Sequence, residues 1–264
     1  MASFTHNGVK IAYDDLETAG PPERTVVLIH GFSSNRVEGW KRTGWYAAFE
    51  RRHMRVIALD QRGHGESAKL YDPQAYAREV LAGDVAALMD HLGVRRADVF
   101  GYSMGTRTGL QLALDAPDRV TNLILGGIGE KLLDPAPADR STVMADAMLA
   151  EDPATITHEM LKSFRQFADE QGEDRKALAA VVQVQNPPLD QDAMRRLPMP
   201  VLVVAGRGDE GAGDPEGLAR IFPAGHAVWV PGCDHFSAIP HALTKAAVFD
   251  FLDGLMDDDF PPFE

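Results

Sequence analysis

Six short, mostly apolar runs closed by glycine or polar residues constrain the fold of this chain more than any other feature. They are Val26–Ile29, Val56–Leu59, Val99-Phe100, Val120–Leu125, Val201–Val204 and His226–Val230. All six read as strands, and the continuous runs Val26–Ile29 and Val56–Leu59 as strands buried on both faces. Helix-like stretches lie between them. Trp45 to Arg52 is one; Leu81, Val85, Leu88 and Leu92 share a face of another, with Gly93 placed for a left-handed cap; Leu110, Ala113 and Leu114 mark a third. Helical spacing recurs at Val248, Phe251, Leu252 and Leu255, which predict a last helix. Alternation of this kind implies an α/β protein, a mostly parallel sheet with helices on both faces, whose ligands bind beyond the carboxyl ends of the strands. At the start, Asn7-Gly8 between Phe4 and the alternating Val9, Ile11 and Tyr13 predicts a hairpin over Ser3 to Tyr13.

The alternation stops from about Lys131 to Arg196. Helical segments are predicted there around Thr142 to Leu149, Ile156 to Phe167 and Arg175 to Val184, separated by Pro135, Pro137, Pro153 and Pro187-Pro188. Residues 131–196 therefore read as a helical insertion in a core made of 1–130 and 197–264. The tail from Asp257 to Pro262 is expected to fray.

The chemistry is placed at Gly101-Tyr102-Ser103-Met104-Gly105, where one of those strands meets a helix. A sharp strand-to-helix turn exposes a serine hydroxyl, and glycines two before and two after it let the backbone pass close to its neighbours. The helix N-terminus behind it favours a developing oxyanion. A base and an orienting acid are then required. His235 is the one histidine in a loop after a strand end that follows the serine; His30 and His64 lie in earlier glycine turns, and His6, His53, His91, His158, His226 and His241 lie elsewhere. For the acid, Asp209 directly follows its strand, with Glu210, Asp214 and Glu130 as rivals; Asp214-Pro215 could instead begin a helix.

Ser103 in its glycine turn, then Asp209, then His235, resembles the α/β-hydrolase family in motif and in the order of nucleophile, acid and histidine. The resemblance covers nearly the whole chain. It implies that His30-Gly31-Phe32 is an oxyanion loop, with the backbone N–H groups of Phe32 and Met104 as donors, that Asp60 to Ser67 is the family's turn after the next strand, and that residues 131–196 are its helical cap. Thr106 and Arg107 depart from the pattern, since small or apolar residues are usual there. Arg107, four residues from Ser103, is expected either to face a buried acid or to leave the core.

Composition narrows the partners. A formal net charge of -13 opposes nucleic acid and anionic membranes, so the expected ligand is a small molecule of neutral or apolar character. The single cysteine, Cys233, excludes an intramolecular disulfide and is expected to fill space; a reducing cytoplasm is the simplest setting. No dinucleotide fingerprint, phosphate loop, H-E-x-x-H pair or cysteine cluster is present, so no cofactor and no metal are expected. Trp40, Trp45, Met144, Met148 and Met160 read for the most part as packing residues, with a place near the presumed cleft that also makes them pocket candidates, and Arg62 and His64 read as turn-stabilising. The implied activity is hydrolysis of a small ester, lactone or thioester through an acyl-enzyme. C–C bond hydrolysis, acyl transfer and a non-catalytic small-ligand receptor are the alternatives; the substrate-binding residues are not legible.

Overall fold

The computed structural model describes residues 2–134 and 139–256. The breaks expected at Pro135 and Pro137 and the tail from Asp257 lie outside the described residues. Eight strands form one sheet: β1 (Ala2–His6), β2 (Val9–Leu16), β3 (Arg24–Ile29), β4 (Met54–Leu59), β5 (Ala97–Tyr102), β6 (Val120–Gly126), β7 (Val201–Gly206) and β8 (Gly225–Val230). Their order is β1-β2-β4-β3-β5-β6-β7-β8. β1 and β2 form the expected hairpin, with Asn7 at φ 48° and Gly8 at φ 77° in the turn, and β2 runs antiparallel to β4. Every later pairing is parallel.

Strand periodicity sorts each apolar run onto two cores. On β3, Val27 and Ile29 pack with Val85 and Leu88 of α2 (Arg78–His91) and Leu110 of α3 (Met104–Asp115). Val26 and Leu28 face the opposite side, against Trp45 and Phe49 of α1 (Trp45–Glu50) and Phe249 and Phe251 of the C-terminal helix. Trp40, on a short π-helical turn at Val37–Lys41, is wholly buried in this second core, as the packing reading requires.

Between β6 and β7 the chain forms α4 (Arg140–Leu149), α5 (Glu159–Gln171), α6 (Arg175–Gln183) and α7 (Gln191–Met194). The first three gather Met148, Leu161, Phe164, Leu178 and Val181 into their own apolar cluster, joined from below by Phe32 and Tyr76. Met194 and Leu197 instead pack into the core beneath α2 and α3. α5 starts three residues later than the sequence suggests, because the Asp152 side chain accepts from Ala154 N–H and closes a separate 3-10 turn at Pro153–Thr155. After α8 (Pro215–Ala219), α9 (Ala242–Leu252) completes the fold. Leu255, expected on α9, lies past its end and is half exposed; Gly254 at φ 74° ends the helix before it.

The chain passes from β3 to β4 on one side, then crosses to β5 on the other. Strand order thus reverses between β3 and β5, the switch point beyond whose carboxyl ends open α/β sheets bind their ligands. The loop after β3 begins at His30; Ser103 directly follows β5.

Candidate active site

Ser103 sits between β5 and α3 with φ 54° and ψ -112°, a conformation that a side chain adopts only when its surroundings enforce it. Neighbouring backbone supplies that enforcement. Ser103 N–H donates to the Gly126 carbonyl at 2.8 Å. A Cβ at Gly101 would lie 2.6 Å from the Thr106 nitrogen, and one at Gly105 would collide with the Ile29 carbonyl, so both glycines are steric necessities. Thr106, a departure from the family pattern, has a structural purpose: its hydroxyl lies 2.9 Å from the Gly101 carbonyl and 3.0 Å from that of Gly126, bridging the ends of β5 and β6.

The Ser103 hydroxyl lies 2.9 Å from His235 Nε2, and His235 Nδ1 lies 2.6 Å from Asp209 Oδ2. With the Asp209 carboxylate buried, its oxygen accepts from Nδ1–H, leaving Nε2 to accept from the serine. Asp209 Oδ1 accepts from Ala212 N–H at 3.1 Å. Two backbone bonds hold the Asp209 and His235 loops together: Gly208 N–H to the Cys233 carbonyl at 2.8 Å and Arg207 N–H to the Val230 carbonyl at 2.9 Å. Gly206 permits this approach, since a Cβ there would meet the Cys233 carbonyl carbon at 2.8 Å. Asp234 folds the histidine loop on itself, accepting from Phe236 N–H, Ser237 N–H and the Ser237 hydroxyl. Those bonds, the Ser237 hydroxyl foremost, hold its carboxyl below the usual range.

The rival acids are occupied elsewhere. Asp214 caps α8 through Glu216 N–H at 2.9 Å, as the Asp-Pro pair allows. Glu130 opens a 3-10 turn, and Glu210 is exposed. Cys233 is buried among Val204, Val230 and Ala238, a filler as expected.

The loop after β3 is set by a buried polar chain. Gln61 N–H donates to His30 Nε2 at 2.9 Å, so Nδ1 carries the proton and donates to the Gly31 carbonyl at 2.8 Å. The Gln61 side chain donates to the His30 carbonyl and accepts from the Thr108 hydroxyl on α3. Burial lowers the His30 pKa, and burial with the adjacent His30 ring lowers that of His64 further, so both imidazoles stay neutral. Gly31 thereby lies against the serine: a Cβ added there would be 3.2 Å from Ser103 Cβ. Phe32 follows Gly31, and Met104 opens α3, where an N–H has no partner within the helix.

The turn Asp60 to Ser67 is held by buried ion pairs. Arg36 meets Asp60, Glu66 and Asp14; burial opposes its charge, yet these carboxylates raise its pKa. Arg62 forms a two-point pair with Asp84 at 2.7 Å per contact, which makes it structural as expected.

Against Phe32 and His235 lies an aromatic cluster that sequence reading missed. Phe164 of α5 has its ring centroid 5.6 Å from that of Phe32 and 6.0 Å from that of His235, and Phe236 stands 5.5 Å from His235. The spacing of Leu161, Phe164 and Ala168 on α5 was the available signal, though it reads equally as core. Glu173, following α5, accepts from Asn35 Nδ2 at 3.1 Å and from Gly65 N–H at 2.8 Å. Arg107 faces no buried acid, the first of its two expectations, and lies outside the apolar cores. It is half-buried, and among the described residues it has no hydrogen bond and no carboxylate partner.

The family model described as alpha/beta hydrolase fold matches residues 24–168, more than half of the chain. The chain belongs to the α/β-hydrolase fold family. Among named proteins, it is 33% identical over 223 residues to the dihydrolipoyllysine-residue acetyltransferase component of an acetoin cleaving system from Pseudomonas putida, covering 80% of this chain and 56% of that one. It is 38% identical over 110 residues to a putative carbamate hydrolase of Variovorax paradoxus, 41% of this chain and 40% of the relative. The chain thus spans about half, or less, of the curated relatives it matches. A thermophilic esterase from Thermogutta terrifontis superposes with TM-score 0.75 at 25% identity, covering 96% of this chain and 97% of that one. An enol-lactonase from Burkholderia xenovorans shares the fold with TM-score 0.75 at 23% identity, covering 96% and 100%. Among the described residues no helix is long and apolar enough to cross a membrane.

Proposed function

We propose that the chain is a serine hydrolase acting on a small, mainly apolar ester, lactone or thioester. The observation that carries this reading is the aligned series Ser103 Oγ, His235 Nε2, His235 Nδ1 and Asp209, with contacts of 2.9 and 2.6 Å. Ser103 Oγ bonds to the acyl carbon while its proton passes to His235 Nε2. The bond to the leaving group then breaks, and the leaving group takes that proton. Water repeats the sequence in the second half: its proton goes to His235, its oxygen to the acyl carbon, and Ser103 is released with the proton restored. Asp209 holds the tautomer and stabilises the imidazolium. The Phe32 and Met104 amides are assigned to the oxyanion, a reading supported by the contact of Gly31 with Ser103 and by the position of Met104 at the α3 N-terminus. Phe32, Phe164 and Phe236 favour an apolar acyl group.

Transfer of the acyl group to an acceptor other than water uses the same intermediate. The name of the Pseudomonas putida relative supports that variant, although only 56% of that protein is matched. Turnover of a panel of para-nitrophenyl esters by wild type, Ser103→Ala and His235→Ala tests the reading. The expected loss of kcat is roughly 10⁴- to 10⁶-fold in either variant. A receptor would bind small acyl compounds equally well without Ser103 and turn over none.

A further inference from the structure

Buried arginines in this protein are held by carboxylates: Arg36 by Asp60 and Glu66, Arg62 by Asp84, Arg165 by Asp169. Around the nucleophile helix that pattern breaks. Arg78 is buried, yet its guanidinium donates only to neutral acceptors, Gln111 Oε1 at 2.7 Å and the Pro187 carbonyl at 3.1 Å. Arg107 has no acceptor among the described residues. Ser103, Arg107 and Gln111 follow one another at intervals of four, so they share one face of α3 and its N-cap, and Arg78 is moored to that face through Gln111. Long helical side chains lean toward the helix N-terminus, which directs Arg107 toward the turn carrying Ser103 and Met104. Met104 packs into the apolar cluster of α4 to α6, so this is the space beneath the helices between β6 and β7. Arg140, the first residue of α4, is near enough to act on the Arg107 charge. Burial, then Arg140 and Arg78, pull the Arg107 pKa down to about 10, still charged at neutral pH. A half-buried cation without an anion is costly, and the cost falls when a ligand supplies the charge.

We propose that the acyl-binding space ends in an anion subsite built on Arg107, with Arg78 and Arg140 adding to its positive field, so that the substrate carries a carboxylate at the end of its acyl chain remote from the scissile bond. This rests on the serine-hydrolase reading. It also refines the neutral ligand expected from the net charge of -13: Asp115 and Glu79 act on Arg78, but the charges that act on Arg107 are those of Arg140 and Arg78, with no carboxylate among them. Four helical residues advance about 6 Å, a span suited to half-esters of succinate, glutarate or adipate.

The test compares the mono-para-nitrophenyl ester of glutarate with para-nitrophenyl pentanoate, in wild type, Arg107→Gln and Arg107→Lys. Wild type is expected to favour the anionic ester in kcat/KM by about 10- to 100-fold, Arg107→Lys to keep part of that preference, and Arg107→Gln to lose it. An unchanged ratio in Arg107→Gln overturns the subsite. Calorimetry on Ser103→Ala with free glutarate and pentanoate supplies a readout that needs no turnover: glutarate should bind tighter by a similar factor, and the advantage should vanish when Arg107→Gln is added. Selective glutarate binding without cleavage of either ester by wild type would keep the subsite and sink the hydrolase reading. Cleavage of both esters without preference for charge, and equal binding of the two acids, would do the reverse.

Discussion

The Tyr102 hydroxyl donates to the His235 carbonyl across 2.7 Å, tying the residue before Ser103 to the loop that carries His235. Tyr102→Phe removes one buried hydrogen bond and is expected to cost about 1 kcal/mol of stability. The larger effect is on alignment: kcat should fall roughly 10-fold with KM little changed, because only the register of imidazole and hydroxyl is loosened. Steady-state kinetics beside urea unfolding checks both parts; an unchanged kcat would mean that the Asp234 turn alone fixes the loop.

Gly105→Ala places a methyl group on the Ile29 carbonyl, backbone against backbone, where no rotamer offers relief. The variant is expected to lose roughly 3 kcal/mol or more, or to fail to fold, as overpacking at a fixed backbone contact does. Thermal unfolding decides it, and a near-normal Tm would show that the turn can open.

Asp84 is buried against Arg62 and also accepts from His6 Nδ1. Asp84→Ala leaves a buried guanidinium uncompensated, with an expected loss of roughly 3–5 kcal/mol. A loss under about 1 kcal/mol in urea unfolding would contradict the structural role given to this pair.

Glu173 supplies the pH dependence. Burial raises its folded pKa above the ordinary glutamate value, outweighing the bonds from Asn35 and Gly65 that favour the carboxylate. A carboxyl whose folded pKa is raised binds its proton more tightly when folded, so its contribution is fully present below the unfolded value near 4.5 and is lost as pH rises through the folded value. The stability of wild type minus that of Glu173→Gln should therefore fall as pH rises from the ordinary glutamate value, then level off. Urea midpoints of both proteins across that range give the difference, and a difference that grows with pH refutes the assignment.

Much of this was legible in the chain because the signals were local. Unbroken β-branched runs mark strands that two cores cover, Asn7-Gly8 fits a turn with two positive φ values, and Gly101 and Gly105 bracket a serine that needs a strained backbone. Asp209 and His235 were legible because each lies in the loop that follows a strand end. The remainder depends on contacts between segments distant in sequence. Nothing near Thr106 announces that its hydroxyl will bridge two strand ends, and Phe164 has the spacing of any buried helical residue although it packs on His235. Arg107 could be singled out, but its lack of a partner emerges only when α2, α3 and α4 are brought together.

Reaction with a fluorophosphonate probe, followed by intact-protein mass spectrometry of wild type and Ser103→Ala, tests the central claim most directly. The account predicts a single adduct on wild type and none on the variant, since only a serine deprotonated by His235 attacks the phosphorus at neutral pH. An unlabelled wild type, or a label that persists in Ser103→Ala, would contradict it.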